Sequence, residues 1–130
     1  MEKLNSIAGF KLDRINSINE EIFHGYHATY KDEQDTQQKL ENQGFDYLLD
    51  YMQRGETKIY GNPKRNIIIA IDAGDLIVHQ FSSKKYYLIE ITAYVNKLKE
   101  YTDEGIILVM DNDEDGKKKL NEYIDTFKDI

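Results

Sequence analysis

The chain has no cysteine, one proline, no tryptophan and only three arginines in 130 residues. Without thiols there is no disulfide framework, no thiolate nucleophile and no Cys-ligated zinc or iron–sulfur site. No apolar run approaches the ~18 residues of a membrane span. The first 20 residues carry no apolar stretch of the signal-peptide kind, so a cytoplasmic protein is expected. Positive charge is scarce as well: 17 Lys and Arg stand against 24 Asp and Glu, for a formal net charge of −7. A surplus of that sign excludes binding to nucleic acid or an anionic membrane through net charge. A Gly-rich phosphate loop, a Gly-x-Ser-x-Gly elbow and a Ser/His/Asp set with supporting context are also missing.

What is present is a chain of one-domain size, residues 1–130, with 16 isoleucines and 10 tyrosines to build a core. The abundance of Lys, Asn, Ile, Tyr and Asp is what A-T-rich codons produce, which points to a low-GC bacterium, a plasmid or a phage. Two halves differ in period. Residues 1–55 read as helical. Leu4, Ala8, Ile15, Ile18 and Ile22 follow a 4/3 spacing, and Ser17 with Glu20 has the form of a capping box. A second helix is marked by Asp35 with Gln38, by Leu40, Gly44, Leu48, Tyr51 and Met52 on one face, and by Gly55 as its stop.

Residues 56–130 read as a sheet plus a terminal helix. Thr57–Tyr60, the β-branched run Asn66–Ile71 and Leu76–Phe81 are strand candidates, with Asp72-Ala73-Gly74-Asp75 as a tight turn. Tyr86–Tyr94 alternates and is assigned as a strand, Val95–Tyr101 as a short helix and Ile106–Met110 as an apolar strand. Leu120, Tyr123, Ile124 and Phe127 mark the last helix. The expected fold is α+β, with a mixed α/β arrangement as the alternative. It has two N-terminal helices, a four- to five-stranded sheet and a C-terminal helix.

The segment with the clearest chemistry is Asp111–Glu122. Asp111, Asp113 and Asp115 fall at positions one, three and five, Gly116 at six and Glu122 at twelve, so it resembles the calcium loop of EF-hand proteins. That spacing turns alternate oxygens onto one ion, with the Lys117 carbonyl as a backbone ligand. The loop is entered from a strand, however, and Lys118 stands at the normally apolar eighth position. The plainer reading is an Asp-rich turn whose acids cap the following helix. The same residues, an apolar strand followed by Asp111-x-Asp113 and a helix, resemble the TOPRIM domains. That likeness implies Mg²⁺ held by paired aspartates for phosphoryl transfer; Asp72, 39 residues earlier, stands nearest the place of the family's glutamate. Asp75 and Glu90, on what read as successive strands, resemble the acidic pair of PD-(D/E)XK nucleases, with Thr92 in place of the lysine.

His24 and His27, with Asp32 or Glu33, form a further candidate metal cluster, and His79 stands alone in a strand. The tyrosines suit a protein contact surface because they combine area with few rotors. With no complete catalytic set, the surplus carboxylates carry the functional expectation. The chain is read as a small acidic protein-binding module, such as an inhibitor, an immunity or antitoxin-type protein or a phage accessory protein. It would be steered to a partner with a basic, nucleic-acid-handling surface. Asp32, Glu33, Asp35, Asp111, Asp113 and Glu114 are the expected contact residues. The alternative is a divalent-metal protein holding Ca²⁺ or Mg²⁺ through Asp111, Asp113, Asp115, Lys117 and Glu122.

Overall fold

The computed structural model describes residues 1–15, 20–52, 56–92, 118 and 121–127. The chain begins with a small hairpin, β1 (Ser6–Ile7) and β2 (Phe10–Lys11). Ala8 and Gly9 turn it with φ of 48° and 84°, the paired left-handed residues of a two-residue turn that matches strand twist. Then follow β3 (Asp13–Ile15), β4 (Phe23–Thr29), helix α1 (Glu33–Asn42), β5 (Asp46–Met52), β6 (Glu56–Asn62), β7 (Ile67–Asp72) and β8 (Asp75–Phe81). Residues 84–92 form helix α2, and α3 is helical at 118 and 121–125. β3 to β8 make one six-stranded sheet in the order β3-β4-β8-β7-β6-β5. Every adjacent pair in it is antiparallel. After β4 the chain passes through α1 to the far edge, and the β5–β8 meander returns to pair with β4.

This strand-rich α+β arrangement overturns the expected architecture. Among the described residues, 1–15 and 20–52 hold one helix instead of two, and the main sheet has six strands. In the N-terminal segment the 4/3 apolar spacing is incidental: Leu4 precedes the hairpin, Ala8 lies in its turn and Ile15 in β3. The second predicted helix is real only over its first part. It ends in a Schellman motif, with Phe45 N–H donating to Leu40 O and Gly44 N–H to Glu41 O. Gly44, at φ 86°, supplies the left-handed residue this motif needs. Beyond it, residues 46–52 are free to extend as β5. Residues 86–92 are helix, not strand. The Ser83 hydroxyl accepts from Tyr86 N–H and its carbonyl from Tyr87 N–H, and Thr92 donates back to Leu88 O. The segments 93–117 and 128–130 lie outside the described residues. With them go the predicted helix at 95–101, the strand at 106–110 and most of the acidic loop.

Both faces of the sheet are covered. On one, α1 and the β1–β2 hairpin bury Leu40, Phe45 and Ile7 against Tyr26, Tyr60, Ile67, Ile69, Ile71, Leu76 and Val78. On the other, α2 and α3 set Tyr87, Ile91, Tyr123 and Ile124 over Leu48, Ile59, Ile68 and Phe81. Each large aliphatic side chain sealed in this way contributes about 1.5–3 kcal/mol. β7 serves both layers, which is why its sequence is an unbroken apolar run. Two buried polar side chains are held by hydrogen bonds: Gln80 accepts from Tyr26 Oη at 3.1 Å and donates to Glu2 O at 2.8 Å. Asn62 accepts from the Lys64 and Arg65 amides.

Candidate protein-binding surface

The crossover from β4 to β5 determines where the carboxylates stand. α1 begins as soon as β4 ends, because Asp32 caps it: Oδ1 accepts from Asp35 N–H at 2.8 Å, and the Asp32 carbonyl accepts from Thr36 Oγ1 at 2.7 Å. Glu33 and Asp35 occupy the first turn, where negative charge suits the helix dipole. Asp35 also pairs with Lys39 at 2.9 Å. Of the acidic run expected to meet a partner, Asp32 and Asp35 therefore have structural duties, and Glu33 is exposed.

α1 lies beside the β5–β6 edge, and acids from three elements meet there. Tyr60 on β6 is buried, with its ring 5.5 Å from that of Tyr47 on β5. Burial pushes the Tyr60 phenol up to about 12, helped by the negative charge of Glu41, Asp50 and Glu33 and opposed by Lys58. Tyr47 is 41% exposed and its hydroxyl donates to Asp50 Oδ1. Lys58 Nζ reaches the same oxygen at 3.2 Å. The result is one exposed ring, Tyr47, packed on the buried Tyr60, with the carboxylates of Glu41, Asp50 and Glu33 close enough to act on the Tyr60 phenol. Sequence reasoning named Glu33 alone of these. Glu41, Tyr47, Asp50 and Tyr60 come from separate elements with no motif spacing to flag them.

A second acidic site lies at the end of the sheet. Asp72 and Asp75 are cross-strand partners flanking the Ala73-Gly74 turn. Thr57 Oγ1 donates to Asp72 Oδ2 at 3.1 Å, and His27 Nε2 lies 2.9 Å from Asp75 Oδ1. Together with Ala70 and Ile77 these side chains line an open hollow of about 360 Å³. Asp72 and Asp75, singled out by the TOPRIM and the PD-(D/E)XK resemblance respectively, are thus neighbours. Glu90 is not beside them: it rides on α2, where its charge reaches His79.

The two histidines read as a metal pair point apart. Three residues along a strand puts them on opposite faces: His24 Nδ1 faces Tyr26 Oη at 3.5 Å, whereas His27 faces Asp75. His24 is held below its ordinary value mainly by burial, then by Arg14. Burial also lowers His79, with Glu90 acting the other way; its ring packs against Phe23 and Phe81. No group of three or more His, Asp or Glu able to hold a metal ion occurs among the described residues. Asp111, Asp113, Glu114, Asp115 and Lys117 lie outside them, and Glu122 is an exposed residue of α3. No helix among the described residues is long and apolar enough to cross a membrane. No family model, no curated protein and no solved structure matches the chain.

Proposed function

We propose that this protein is an acidic binding module that docks a basic surface of another protein through the Tyr47–Tyr60 edge and the carboxylates around it. The observation that supports this reading is the exposed Tyr47 ring packed on Tyr60, with Asp50 bonded to the Tyr47 hydroxyl and Glu41 and Glu33 on the neighbouring helix adding negative charge at the Tyr60 phenol. Rigid aromatic area inside a rim of like charge combines affinity with steering. The net charge of −7 extends that field to encounter distances. A partner whose own ligand is a nucleic acid presents the complementary cations, so the module would act as an inhibitor or accessory factor in a bacterial or phage-infected cell. Asp32 and Asp35 support the surface by fixing the start of α1.

The test compares the wild type with Glu33→Lys/Glu41→Lys, two substitutions at exposed helix positions. Immobilised protein is exposed to a lysate of the cell that encodes it, and bound proteins are identified by mass. The expected result is a small set of basic proteins, released by heparin or by 0.5 M salt (about a threefold rise over physiological ionic strength) and missing from the variant. Identical capture by both proteins, or partners that are themselves acidic, would refute the reading.

A further inference from the structure

Lys84 opens α2, on the face of the sheet away from Tyr60. Its side chain is partly buried. Nζ lies over two aromatic faces, 5.0 Å from the centre of the Tyr87 ring and 5.4 Å from that of Phe127. Phe127 follows α3 and packs edge-on against Tyr123 at 5.1 Å, so one ammonium bridges both helices of this layer. Among the described residues no carboxylate pairs with it, unlike Lys39 and Lys58, which pair with Asp35 and Asp50. Burial holds the Lys84 amine below the ordinary lysine value, because the rings attract the cation without replacing its lost hydration shell. The positive end of the helix dipole works in the same direction.

We propose that Lys84 is an acylation site, taking its acyl group from a small activated donor (an acyl phosphate or thioester), and that the uncharged product loosens the end of α3 from α2. The site stands whether or not the Tyr47 surface binds a partner. In the reaction the lone pair of the neutral amine attacks the acyl carbon and a C–N bond forms. The bond from that carbon to phosphate or sulfur breaks, and the leaving group departs with the electron pair and takes up the proton the nitrogen loses. At neutral pH an ordinary lysine is almost wholly protonated and inert, so the amine whose charge is least well solvated supplies most of the reactive form. Lys85, its exposed neighbour, meets the same donor with its charge in water. Acylation removes the cation that the two rings hold. Tyr87 keeps its place because it is fully buried in the core, so the contact that gives way is the one to Phe127. There the Thr126 and Phe127 amides close the last turn onto the Glu122, Tyr123 and Ile124 carbonyls.

The whole chain is incubated at pH 7.5 with acetyl phosphate, and separately with an acetyl thioester, then cleaved at glutamate and sampled by mass spectrometry. Transfer to Lys84 is expected to be roughly threefold or more faster than to Lys85, and the two rates to converge in concentrated urea. The donor that shows this preference is the source. Equal rates in the folded protein with both donors, or a slower rate at Lys84, overturn the site. A preference that persists in urea overturns it as well, since local sequence alone would then produce it. Release of α3 is read by amide hydrogen exchange in Lys84→Gln, which copies the uncharged product, and in Lys84→Arg, which keeps the charge; the acetylated wild type gives the same reading without a substitution. The Thr126 and Phe127 amides are expected to exchange about threefold faster or more in Lys84→Gln and in the acetylated protein, and at the wild-type rate in Lys84→Arg, with β7 unchanged throughout. Wild-type exchange at both positions after acetylation overturns the release. So does equal acceleration in Lys84→Arg, or acceleration that extends to β7 and so reports a general loss of stability.

Discussion

Gly61 stands in β6 beneath α2, and replacing it with alanine tests how the helix layer is seated on the sheet. A Cβ at this position would run into the Tyr87 hydroxyl and come within 2.9 Å of Leu48 Cδ1. Tyr87 is fully buried, its hydroxyl hydrogen-bonds Tyr123 on α3 and its ring meets that of Phe81 edge-on, so it cannot step aside cheaply. In an open strand, glycine to alanine is favourable by roughly 0.5–1 kcal/mol, since alanine has less backbone freedom to lose. Overpacking costs about 1–3 kcal/mol, and displacing the phenol would forfeit its hydrogen bond, about 1 kcal/mol more. Gly61→Ala should therefore destabilise by about 1–3 kcal/mol. Tyr87→Phe removes the obstructing oxygen and by itself costs about 1 kcal/mol, the lost hydrogen bond. The double variant should then be more stable than the sum of the two changes by about 1–2 kcal/mol. Urea unfolding followed by far-ultraviolet circular dichroism measures all four corners of the cycle. A stabilised Gly61→Ala, or effects that add within about 0.5 kcal/mol, would refute the packing argument.

Asp32→Ala removes the cap of α1 and should cost about 1 kcal/mol, read as a fall in urea midpoint with the slope unchanged. Ala73 holds φ 47° in the β7–β8 turn, a region that disfavours any side chain except the short polar ones. Ala73→Asn should therefore stabilise by about 0.5–1 kcal/mol, and a loss of stability would contradict the turn geometry. Acid should weaken the fold through His79, whose folded value lies below its unfolded value of about 6.5. The unfolded chain then binds more protons as pH drops, so this contribution is complete above pH ~6.5 and is lost progressively below it. Unfolding midpoints at pH 5 and 7.5 should differ less in His79→Phe than in the wild type, and an equal difference would count against the assignment.

Legibility followed the range over which each signal acts. The β7–β8 hairpin was readable because a β-branched run and Asp-Ala-Gly-Asp are both local. The Tyr86–Ile91 segment was ambiguous because Tyr87 and Ile91 bury themselves under period two and under period 3.6 alike. Ile89 separates the readings, being 53% exposed where an alternating strand would have buried it. The end of α1 was misplaced by taking Gly55 for the stop, although Gly44 is the residue with φ 86°. Its cap was placed at Asp35, which instead donates its amide to Asp32. Gly9 carried the hairpin signal that should have broken the N-terminal helix. Of the binding surface, the Asp32–Asp35 run was visible. The Tyr47, Asp50, Tyr60 and Glu41 grouping was not, because only the crossover brings α1 beside the last two strands.

That crossover also sets a timetable for synthesis. His27 waits for Asp75, 48 residues on, before β4 gains its central neighbour. At ~5–20 residues per second, the nascent chain carries an unsatisfied β4 edge for roughly 2–10 s. The meander closes through nearby partners as it emerges, and β4 docks last. Pausing between the codons of β4 and β8 should therefore lower soluble yield more than pausing after β8.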